Sequence, residues 1–374
     1  MGSKEIYQIA LSLLPGVGPV TTRNLQKMFG DNEAIFRLKG THLKRTYGIG
    51  DQLTSIILKN RQACLEKARA EIKFMEANDV HMVDIGDDIY PDKLRACADA
   101  PLVLFYIGDF SAFPDKSVAV VGTRKSSQRG VDITENLIQG FKNNNLSPLI
   151  VSGLAYGIDV TAHRSALEHG LNTWAILGHG FDIIYPAMHR PVAKAIIDKG
   201  GCLVSEFPSH APRDSKHFVR RNRIIAGLSD ATIIVESAKK GGAMVTADIA
   251  TSYNRDVFAF PGRINDSKSK GCNHLIKTNR AALTESVDDV LYIMNWRKTR
   301  KSSEEKQAAI EFNLQFEENE KIVLDVLKDK DYCDTDQLLK LSGLNIADLS
   351  TALLGLEIKS VINALPGKIY AMNS

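Results

Sequence analysis

Paired cysteines and long apolar runs are both missing from this sequence, and their absence restricts the class of protein. No CxxC pair occurs, and the odd number of scattered cysteines supports neither a disulfide framework nor a zinc site. No apolar run approaches the roughly 20 residues that a membrane-spanning helix requires. The first residues, MGSKEIYQIA, also lack the apolar segment of a secretion signal. We therefore expect a soluble, cytoplasmic protein.

Strong net charge and several catalytic fingerprints are absent as well. With 47 Lys and Arg against 44 Asp and Glu, the net charge is only +3, so a polyanion site must come from local clusters. The first parallel strand is not followed by GxGxxG, which disfavours a dinucleotide-dependent oxidoreductase. No GxxxxGK[ST] loop and no HExxH motif occur, so no ATP site, metal or other cofactor is implied.

Three segments share one arrangement, in which an apolar strand runs through a glycine turn into a helix. They are VAVVGTRKSS at 118–127, IVSGLAYGID at 150–159 and IIVESAKKGGAMVTADIA at 233–250. A helix that starts after such a turn presents unpaired N–H groups and its positive dipole end to an anion. In a parallel sheet these turns meet at the carboxyl ends of the strands. Three such anion-binding turns predict an extended polyanion as the ligand.

The length of 374 residues predicts two or three domains. Residues 1–75 indicate a helical domain, in which LPGVG at 14–18 joins two helices as in helix-hairpin-helix or SAM-like domains. This turn could contact a phosphate, or it could simply join two helices of a small bundle. A contact with DNA by this region is therefore left open.

Residues 76–297 alternate Val- and Ile-rich strands with helices, which is typical of an α/β, extended Rossmann-like, doubly wound parallel sheet. The near-continuous apolar strands predict burial on both faces. We expect one lead-in strand and loops between Val80 and Gly108. The six main strands are predicted at 118–121, 149–152, 173–177, 202–205, 232–236 and 257–260.

The polar stretch 298–314 predicts a linker, and 315–374 predicts a winged-helix domain of three helices and a hairpin. The hairpin would turn at Pro366-Gly367. Acidic residues are scattered through this domain, which disfavours simple binding to duplex DNA because DNA is itself a polyanion. A partner-binding or regulatory role is favoured there.

The densest basic cluster of the sheet region is PRDSKHFVRRNRIIAG at 212–227. Arginine offers a planar fork to phosphate oxygens, and the interleaved Phe218 offers an unpaired base a surface for stacking. On a helix, Arg220 and Arg223 cannot share a face with Arg221. We therefore expect about half of the basic side chains of this cluster to contact a ligand. The five basic residues of the cluster are Arg213, Lys216, Arg220, Arg221 and Arg223.

Eight motifs in fixed order carry a family resemblance. They are GTRKSS, SGLAYGIDVTAH, LGHGFDIIYP, SEFP, FVRRNRIIAGLSDATIIVES, KKGGAMVTADIA, FAFPGRIND and GCNHLI. In this order the chain closely resembles the DNA processing protein A family, DprA, also called Smf. The resemblance covers Val80 to about Asp289, and the LPGVG and LPGKIY segments agree with the flanking domains of many members. The sequence departs from the family at Lys240-Gly241-Gly242, where a Ser-Gly-Ser type turn is common.

The resemblance implies a mediator rather than a catalyst. Such a protein binds single-stranded DNA during natural transformation, protects it, loads the RecA recombinase and forms a homodimer through the Rossmann-like domain. The DNA would lie in a basic pocket of that domain. The residues that we expect to bind single-stranded DNA are Gly122, Thr123, Arg124, Ser126, Ser152, Gly153, Ala155, Gly157, Lys216, Phe218, Arg221, Arg223, Lys240, Gly241, Gly242 and Asn273.

The main alternative is a nucleotide hydrolase, because related Rossmann-like families include phosphoribohydrolases. Asp159 and His163 are spaced to share a helix face, and they could act as acid and base together with Glu206 and Glu236. The structural interpretation is favoured: Asp159 suits a helix N-cap and His163 suits a packing role. The phosphoribohydrolase signature PGGxGTxxE is also missing from the sequence.

Overall fold

The computed structural model describes residues 3–45, 49–110, 113–211, 214–297, 316–328, 332–359, 361–365 and 369–372. The chain divides into two compact units, residues 1–297 and 298–374. Arg213, the predicted linker 298–314 and the predicted turn Pro366-Gly367 lie outside the described residues. Among the described residues, no helix combines the length and the apolar character needed to cross a membrane.

The first unit begins with helices that pack on the sheet. In the turn between the first two helices, Gly16 adopts a φ of +72°, which favours glycine, and Pro19 opens the second helix. Ile9 of the first helix and Ile57 of the fifth helix share one apolar core with Val83 and Leu104 of the sheet. Because the core is shared, the division of residues 1–75 from the sheet as a separate domain stays a prediction. The helices are α1 (Ser3–Ser12), α2 (Pro19–Phe29), α3 (Asn32–Arg37), α4 (Gly40–Arg45) and α5 (Asp51–Asn78).

Within the described ranges, nine strands form one sheet in the order β1-β2-β6-β5-β4-β3-β7-β8-β9. In this sheet order, the seven strands from β6 through β5, β4, β3, β7 and β8 to β9 run parallel to one another. In contrast, β2 pairs antiparallel with both β1 and β6. The six predicted main strands are confirmed closely. The strands are β1 (His81–Asp84), β2 (Val103–Gly108), β3 (Ser117–Val121), β4 (Leu149–Ser152), β5 (Thr173–Leu177), β6 (Cys202–Ser205), β7 (Ala231–Ile234), β8 (Asp256–Ala259) and β9 (Ala282–Leu283).

The segment before β3 differs from the expectation of one lead-in strand. It forms two strands, and β2 extends the parallel sheet by pairing Phe105 with Ser205. The N–H and C=O groups of β6 that would otherwise lie at a sheet edge are thereby hydrogen-bonded. The sheet is therefore mixed rather than wholly parallel.

Helices cover both faces of the sheet. The side chains of β3 alternate between two cores, since Val118 and Val120 lie in one and Ala119 and Val121 in the other. This confirms that the strands are buried on both faces. The helices are α6 (Asp92–Arg95), α7 (Gln128–Asn143), α8 (Ile158–Glu168), α9 (Arg190–Asp198), α10 (Ser215–Leu228), α11 (Gly242–Ser252), α12 (Lys270–Lys277) and α13 (Val287–Ile293), with a 3-10 turn at Ala187–His189.

The strand order reverses between β3 and β7. The chain proceeds from β3 outward to β6, and α10 then carries it back to β7 on the other side of β3. Because the loops after β3 and β7 leave in opposite directions, a crevice opens between them, and ligands of open α/β sheets bind at such a switch point.

The second unit has the helices and strands of a winged helix. Val323, Leu338, Leu349 and Ile362 lie in its core. Asp334 and Gln337 form a capping box at the start of the helix Thr335–Ser342. Its elements are α14 (Glu318–Lys328), β10 (Cys333–Asp334), α15 (Thr335–Ser342), α16 (Ile346–Ile358), β11 (Ile362–Leu365) and β12 (Ile369–Met372), with strand order β10-β12-β11.

Candidate nucleic-acid interface

A pocket of about 400 Å³ lies at the switch point of the sheet. The end of β3 and the turn after it form one wall, and the turn from β7 to α11 forms the other. Helix α10 contributes Phe218 and Arg221 from a third side. The position is the one that the strand order predicts for a ligand.

Nine of the residues predicted from the sequence line this pocket. They come from four separate parts of the chain, so the fold brings together what the motifs only suggested. They are Gly122, Thr123, Arg124, Ala155, Phe218, Arg221, Lys240, Gly241 and Gly242.

Arg221 supplies a fixed positive charge to the pocket. Its side chain is buried, and it donates hydrogen bonds to the carbonyl oxygens of Gly153, at 2.6 Å, and Ile176. Burial lowers the pKa of Arg221 to about 10, although the Asp159 carboxylate opposes this shift. At neutral pH the guanidinium therefore remains charged.

Arg124 lies beside aromatic surface at the mouth of the pocket. It is exposed, and its guanidinium carbon lies 5.7 Å from the centroid of the Phe218 ring. The Tyr185 ring centroid lies 5.7 Å from that of Phe218 on another side. A cation and an aromatic face so close together match the phosphate and the base of one nucleotide.

A second cleft continues from the pocket and shares Arg124, Ala155 and Phe218 with it. Its other lining includes Tyr156 and Tyr185, whose side chains are 40% and 49% exposed. Sequence reasoning missed both tyrosines as site residues. They lie within the LAYG and IIYP motifs, but only the three-dimensional fold places them beside Phe218.

Two of the three predicted anion-binding turns are occupied by the protein's own carboxylates. At the start of α7, the Ser127 N–H donates to Glu236 Oε2 at 2.9 Å, and the Ser127 hydroxyl donates to Oε1. In the turn before α8, backbone N–H groups of Gly153 and Ala155 bond the buried Asp159 side chain, and the first N–H group of α8, on Ile158, donates to the Thr123 carbonyl at 3.3 Å. These N–H groups are already bonded within the protein, so the two turns do not serve as the predicted anion-binding sites.

The third turn is different. The N-cap of α11 is Gly241, which has no side chain to bond the first N–H groups of the helix. Gly241 and Gly242 are both exposed and line the pocket together with Lys240. Among the described residues, the turn before α11 is therefore the one of these three with no carboxylate bonded to its N–H groups, and it lines the pocket.

Several predicted residues do not line the pocket. Gly153 lines only the second cleft, Lys216 is exposed in the first turn of α10, and Ser126 is half-buried. Ser152 is fully buried, and its hydroxyl donates to the Val120 carbonyl at 2.7 Å. The Asn273 side chain bonds both the N–H and the carbonyl of Gly262. Ser152 and Asn273 therefore hold backbone in place.

Gly157 also acts through the backbone. Its φ of +74° favours glycine, and a Cβ at this position would lie 2.3 Å from the carbonyl oxygen of Thr123. The turn after β4 thus packs directly against the turn that carries Arg124. Gly157 shapes the pocket without lining it.

Arg220 and Arg223 lie on the face of α10 that turns away from Arg221, as the helical spacing predicts. Arg223 is buried, bonds Glu206 and donates to the Asp99 carbonyl at 2.7 Å. Arg220 is half-exposed and lies 3.0 Å from the same Glu206 carboxylate. Both arginines are used in ion pairs within the fold, and neither lines the pocket.

The four groups of the alternative hydrolase hypothesis have structural partners. His163 is fully buried and lies 2.7 Å from the Thr173 hydroxyl, while its Nε2 accepts from the Leu154 N–H at 3.3 Å. Because burial lowers its pKa to about 3, the ring is neutral. Asp159 follows the N-cap Gly157 by two residues, so its prediction as the N-cap is wrong.

The fold and the pocket define a Rossmann-like α/β protein with a basic, aromatic-edged site at its switch point, followed by a winged-helix unit. The chain belongs to the DNA recombination-mediator protein A family. Residues 81–295 match the model of that family, and residues 308–368 match the DprA winged helix domain. The family resemblance stated from the motifs is thereby confirmed.

Relatives and solved structures agree with this assignment. The chain is 31% identical over 328 residues to Protein Smf of Escherichia coli, covering 84% of this chain and 85% of that protein. It is 37% identical over 279 residues to DNA processing protein DprA of Streptococcus pneumoniae, covering 70% of this chain and 97% of that protein.

The X-ray structure of Streptococcus pneumoniae DprA superposes with a TM-score of 0.64 at 33% identity, covering 78% of this chain and 98% of that one. DNA processing protein A of Helicobacter pylori, whose structure was reported for its single-stranded DNA binding mode, gives a TM-score of 0.52 at 27% identity. That match covers 58% of this chain and 96% of the other.

Proposed function

We propose that this protein binds single-stranded DNA in the switch-point pocket and acts as a recombination mediator rather than as an enzyme. The observation that carries the proposal is the grouping of Arg124, Arg221 and Lys240 around Phe218. The single-stranded DNA binding mode reported for the Helicobacter pylori relative supports it.

In this proposal the phosphates lie toward Arg124, Lys240 and the start of α11. Lys240 and Arg124 are exposed and can follow a flexible backbone, whereas Arg221 adds a charge that does not move. Charge-assisted hydrogen bonds from guanidinium and backbone N–H groups are the strong contacts for phosphate oxygens. Among the described residues that line the pocket, Asp159 is the one acidic side chain, and Arg221 lies close enough to favour its charged form.

The bases lie against the aromatic surface. Phe218 is half-buried, and Tyr156 and Tyr185 continue its apolar surface along the second cleft. A base can reach this surface only when it is unpaired, because duplex bases are stacked on one another inside the helix. Preference for single strands follows from this geometry.

Family membership extends the proposal to the cellular role. We infer that the protein protects single-stranded DNA in the cytoplasm during natural transformation, acts as a homodimer and loads RecA. The Rossmann-like domain, residues 76–297, would hold the DNA, and the domains at 1–75 and 315–374 would serve partners or regulation.

The test compares Arg124→Ala with Lys125→Ala, because Lys125 is an exposed neighbour that does not line the pocket. Binding of labelled single strands is followed by fluorescence anisotropy across a range of salt concentrations. We expect Arg124→Ala to weaken binding about tenfold or more. Loss of one phosphate contact should also flatten the plot of log K against log salt by about 0.7.

Lys125→Ala should stay near the wild type in both measurements. Equal losses in the two variants, or tighter binding of duplex than of single strands, would contradict the proposal. A nucleoside monophosphate should compete poorly, because it offers one phosphate. Release of a free base from such a nucleotide would favour the hydrolase alternative instead.

A further inference from the structure

Next to the pocket, four basic side chains lie on the β8 side of the rim, and we call them the rim strip: Lys239, Arg263, Lys268 and Lys270. Lys239, Arg263 and Lys270 are exposed, and Lys268 is half-buried. Lys239 precedes the pocket residue Lys240, and the other three lie in or directly after the loop from β8 to α12.

The loop that carries the strip is held firmly at several points. The Asn273 side chain bonds both backbone groups of Gly262, at 3.0 and 2.8 Å, and Arg129 donates to the Pro261 carbonyl at 2.6 Å. Asp266 accepts from the Lys268 N–H and the Ser269 hydroxyl, at 3.0 and 2.8 Å. The basic side chains therefore extend from a rigid backbone.

The strip is continuous with the pocket. The Gly271 N–H donates to the Ser237 carbonyl at 2.8 Å, and a Cβ on Gly271 would lie 2.6 Å from the Ala238 carbonyl. Ser237 and Ala238 line the pocket. Lys270 is thus one residue from a point of direct contact with the pocket wall.

Apart from Lys268, whose charge interacts with Asp266, the strip carries charge that the fold does not use. In the described part of the chain, none of its four side chains forms an ion pair. Asp266 is the acidic residue of the loop, and its charge interacts with Lys268 and Arg129. Several like charges on one surface repel one another, and a polyanion that lies along them relieves this repulsion.

We propose that the rim strip is a second phosphate-binding surface for single-stranded DNA, which the strand reaches after it leaves the pocket. The inference rests on the proposed function of the pocket and adds the path that a longer strand follows. Lysine binds phosphate as a point charge on a flexible stem, so these contacts hold the backbone regardless of base sequence. The strip therefore contributes only when the strand is long enough to reach it.

The test uses the double variant Lys268→Gln/Lys270→Gln in the full chain. Lys270 lies in the first turn of α12, where a positive charge opposes the helix dipole, so its removal is not expected to destabilise the fold. The matched control is Lys142→Gln/Lys199→Gln. Lys142 lies in the last turn of α7 and Lys199 at the C-cap of α9, both at the opposite edge of the sheet from the pocket.

Binding of oligothymidylates of about 4 and about 16 nucleotides, the range of site sizes found for single-strand-binding OB folds, is measured against salt. For the longer strand, the strip variant should bind about tenfold or more weakly at 0.1 M salt, and the salt slope should flatten by about 1.4. For the shorter strand, the strip variant and the control should both match the wild type.

Two outcomes would overturn the inference. In the first, the strip variant binds the longer strand as the control does. In the second, it loses both strands equally, which would mean that the pocket itself was disturbed. If the wild type binds neither strand, the proposed function fails as well; if it binds both and only Arg124→Ala weakens the short strand, the proposed function stands by itself.

Discussion

Arg221 and Gly153 are matched in shape, because the guanidinium occupies the space that a side chain at position 153 would fill. Its Nη1 donates to the Gly153 carbonyl at 2.6 Å, and a Cβ on Gly153 would lie 2.4 Å from Nη2. The glycine after β4 therefore does more than turn the chain. It admits the buried cation that gives the pocket its permanent charge.

Gly153→Ala should displace the Arg221 guanidinium and leave the carbonyls of Gly153 and Ile176 without their donor. We expect the free energy of unfolding to fall by about 2 kcal/mol, together with a loss of single-strand affinity. Urea unfolding and anisotropy measure the two effects. Gly242→Ala is the control for stability, since a Cβ there meets nothing within 4 Å. Equal unfolding midpoints in the two variants would contradict this account.

Arg223→Ala should destabilise the protein without a direct effect on DNA binding. It leaves Glu206 buried, with a side chain only 2% exposed, and removes its closest cation. We expect a loss of about 3 kcal/mol in the free energy of unfolding, because the buried carboxylate keeps only the half-exposed Arg220 as its cation.

Arg220→Ala should cost about 1 kcal/mol or less, because its side chain is 48% exposed and its ion pair with Glu206 is screened by solvent. Chemical denaturation of the two variants tests the difference. Single-strand affinity, measured where each variant is folded, should remain close to the wild type. A large loss of affinity with unchanged stability in Arg223→Ala would place this arginine at the DNA instead.

Phe218→Ala should weaken binding of single strands by removing the stacking surface next to Arg124. Stacking of one base on an aromatic ring contributes about 1–3 kcal/mol, which corresponds to roughly 5- to 150-fold in affinity. Phe218→Tyr keeps the ring and serves as the control. Anisotropy at one fixed salt concentration measures the affinities, and the salt slope should not change, since no phosphate contact is lost. Full affinity in Phe218→Ala would exclude stacking there.

His163 makes the stability of the protein depend on pH. Its pKa is about 3 in the folded protein and about 6.5 when unfolded, so below pH 6.5 the unfolded chain binds the extra proton. The stability that the neutral ring contributes is complete above pH 6.5 and is lost as the pH falls toward 3.

Relative to His163→Gln, the wild type should therefore lose about 1.4 kcal/mol per pH unit below pH 6.5, or about 2 kcal/mol between pH 7 and pH 5. Comparison of the two proteins cancels the opposite effect of Asp159 and Glu206, whose pKa values burial raises. Urea unfolding at each pH gives the difference. A parallel pH dependence in the two proteins would show that folding does not lower the pKa of His163.

The sequence predicted the parallel part of the sheet well, because each strand is a short apolar run between turn residues. It also placed Arg124 and Lys240 at one rim, since turns after parallel strands meet at one edge of the sheet, whereas Phe218 was assigned to the pocket by the family resemblance. The two tyrosines of the second cleft could not be predicted as site residues, because only the packing of separate loops brings Tyr156 and Tyr185 toward Phe218.

The carboxyl side chains that bond to the turns before α7 and α8 could likewise not be predicted from the sequence. Ser127 and Glu236 lie 109 residues apart in the chain, and no local pattern links this hydroxyl to that carboxylate. The spacing of Arg220, Arg221 and Arg223 separated them into two helix faces correctly. It did not say which face meets the pocket, because that depends on the position of Glu206 at the end of β6.

The switch point also has a consequence for how this protein can be recombined with its relatives. Arg124 precedes the excursion of the chain from β3 to β6 and back, and Lys240 follows it. A chimaera joined anywhere within that excursion would inherit the two walls of the pocket from different parents. Such hybrids should retain their ligand only where the parents agree at both walls.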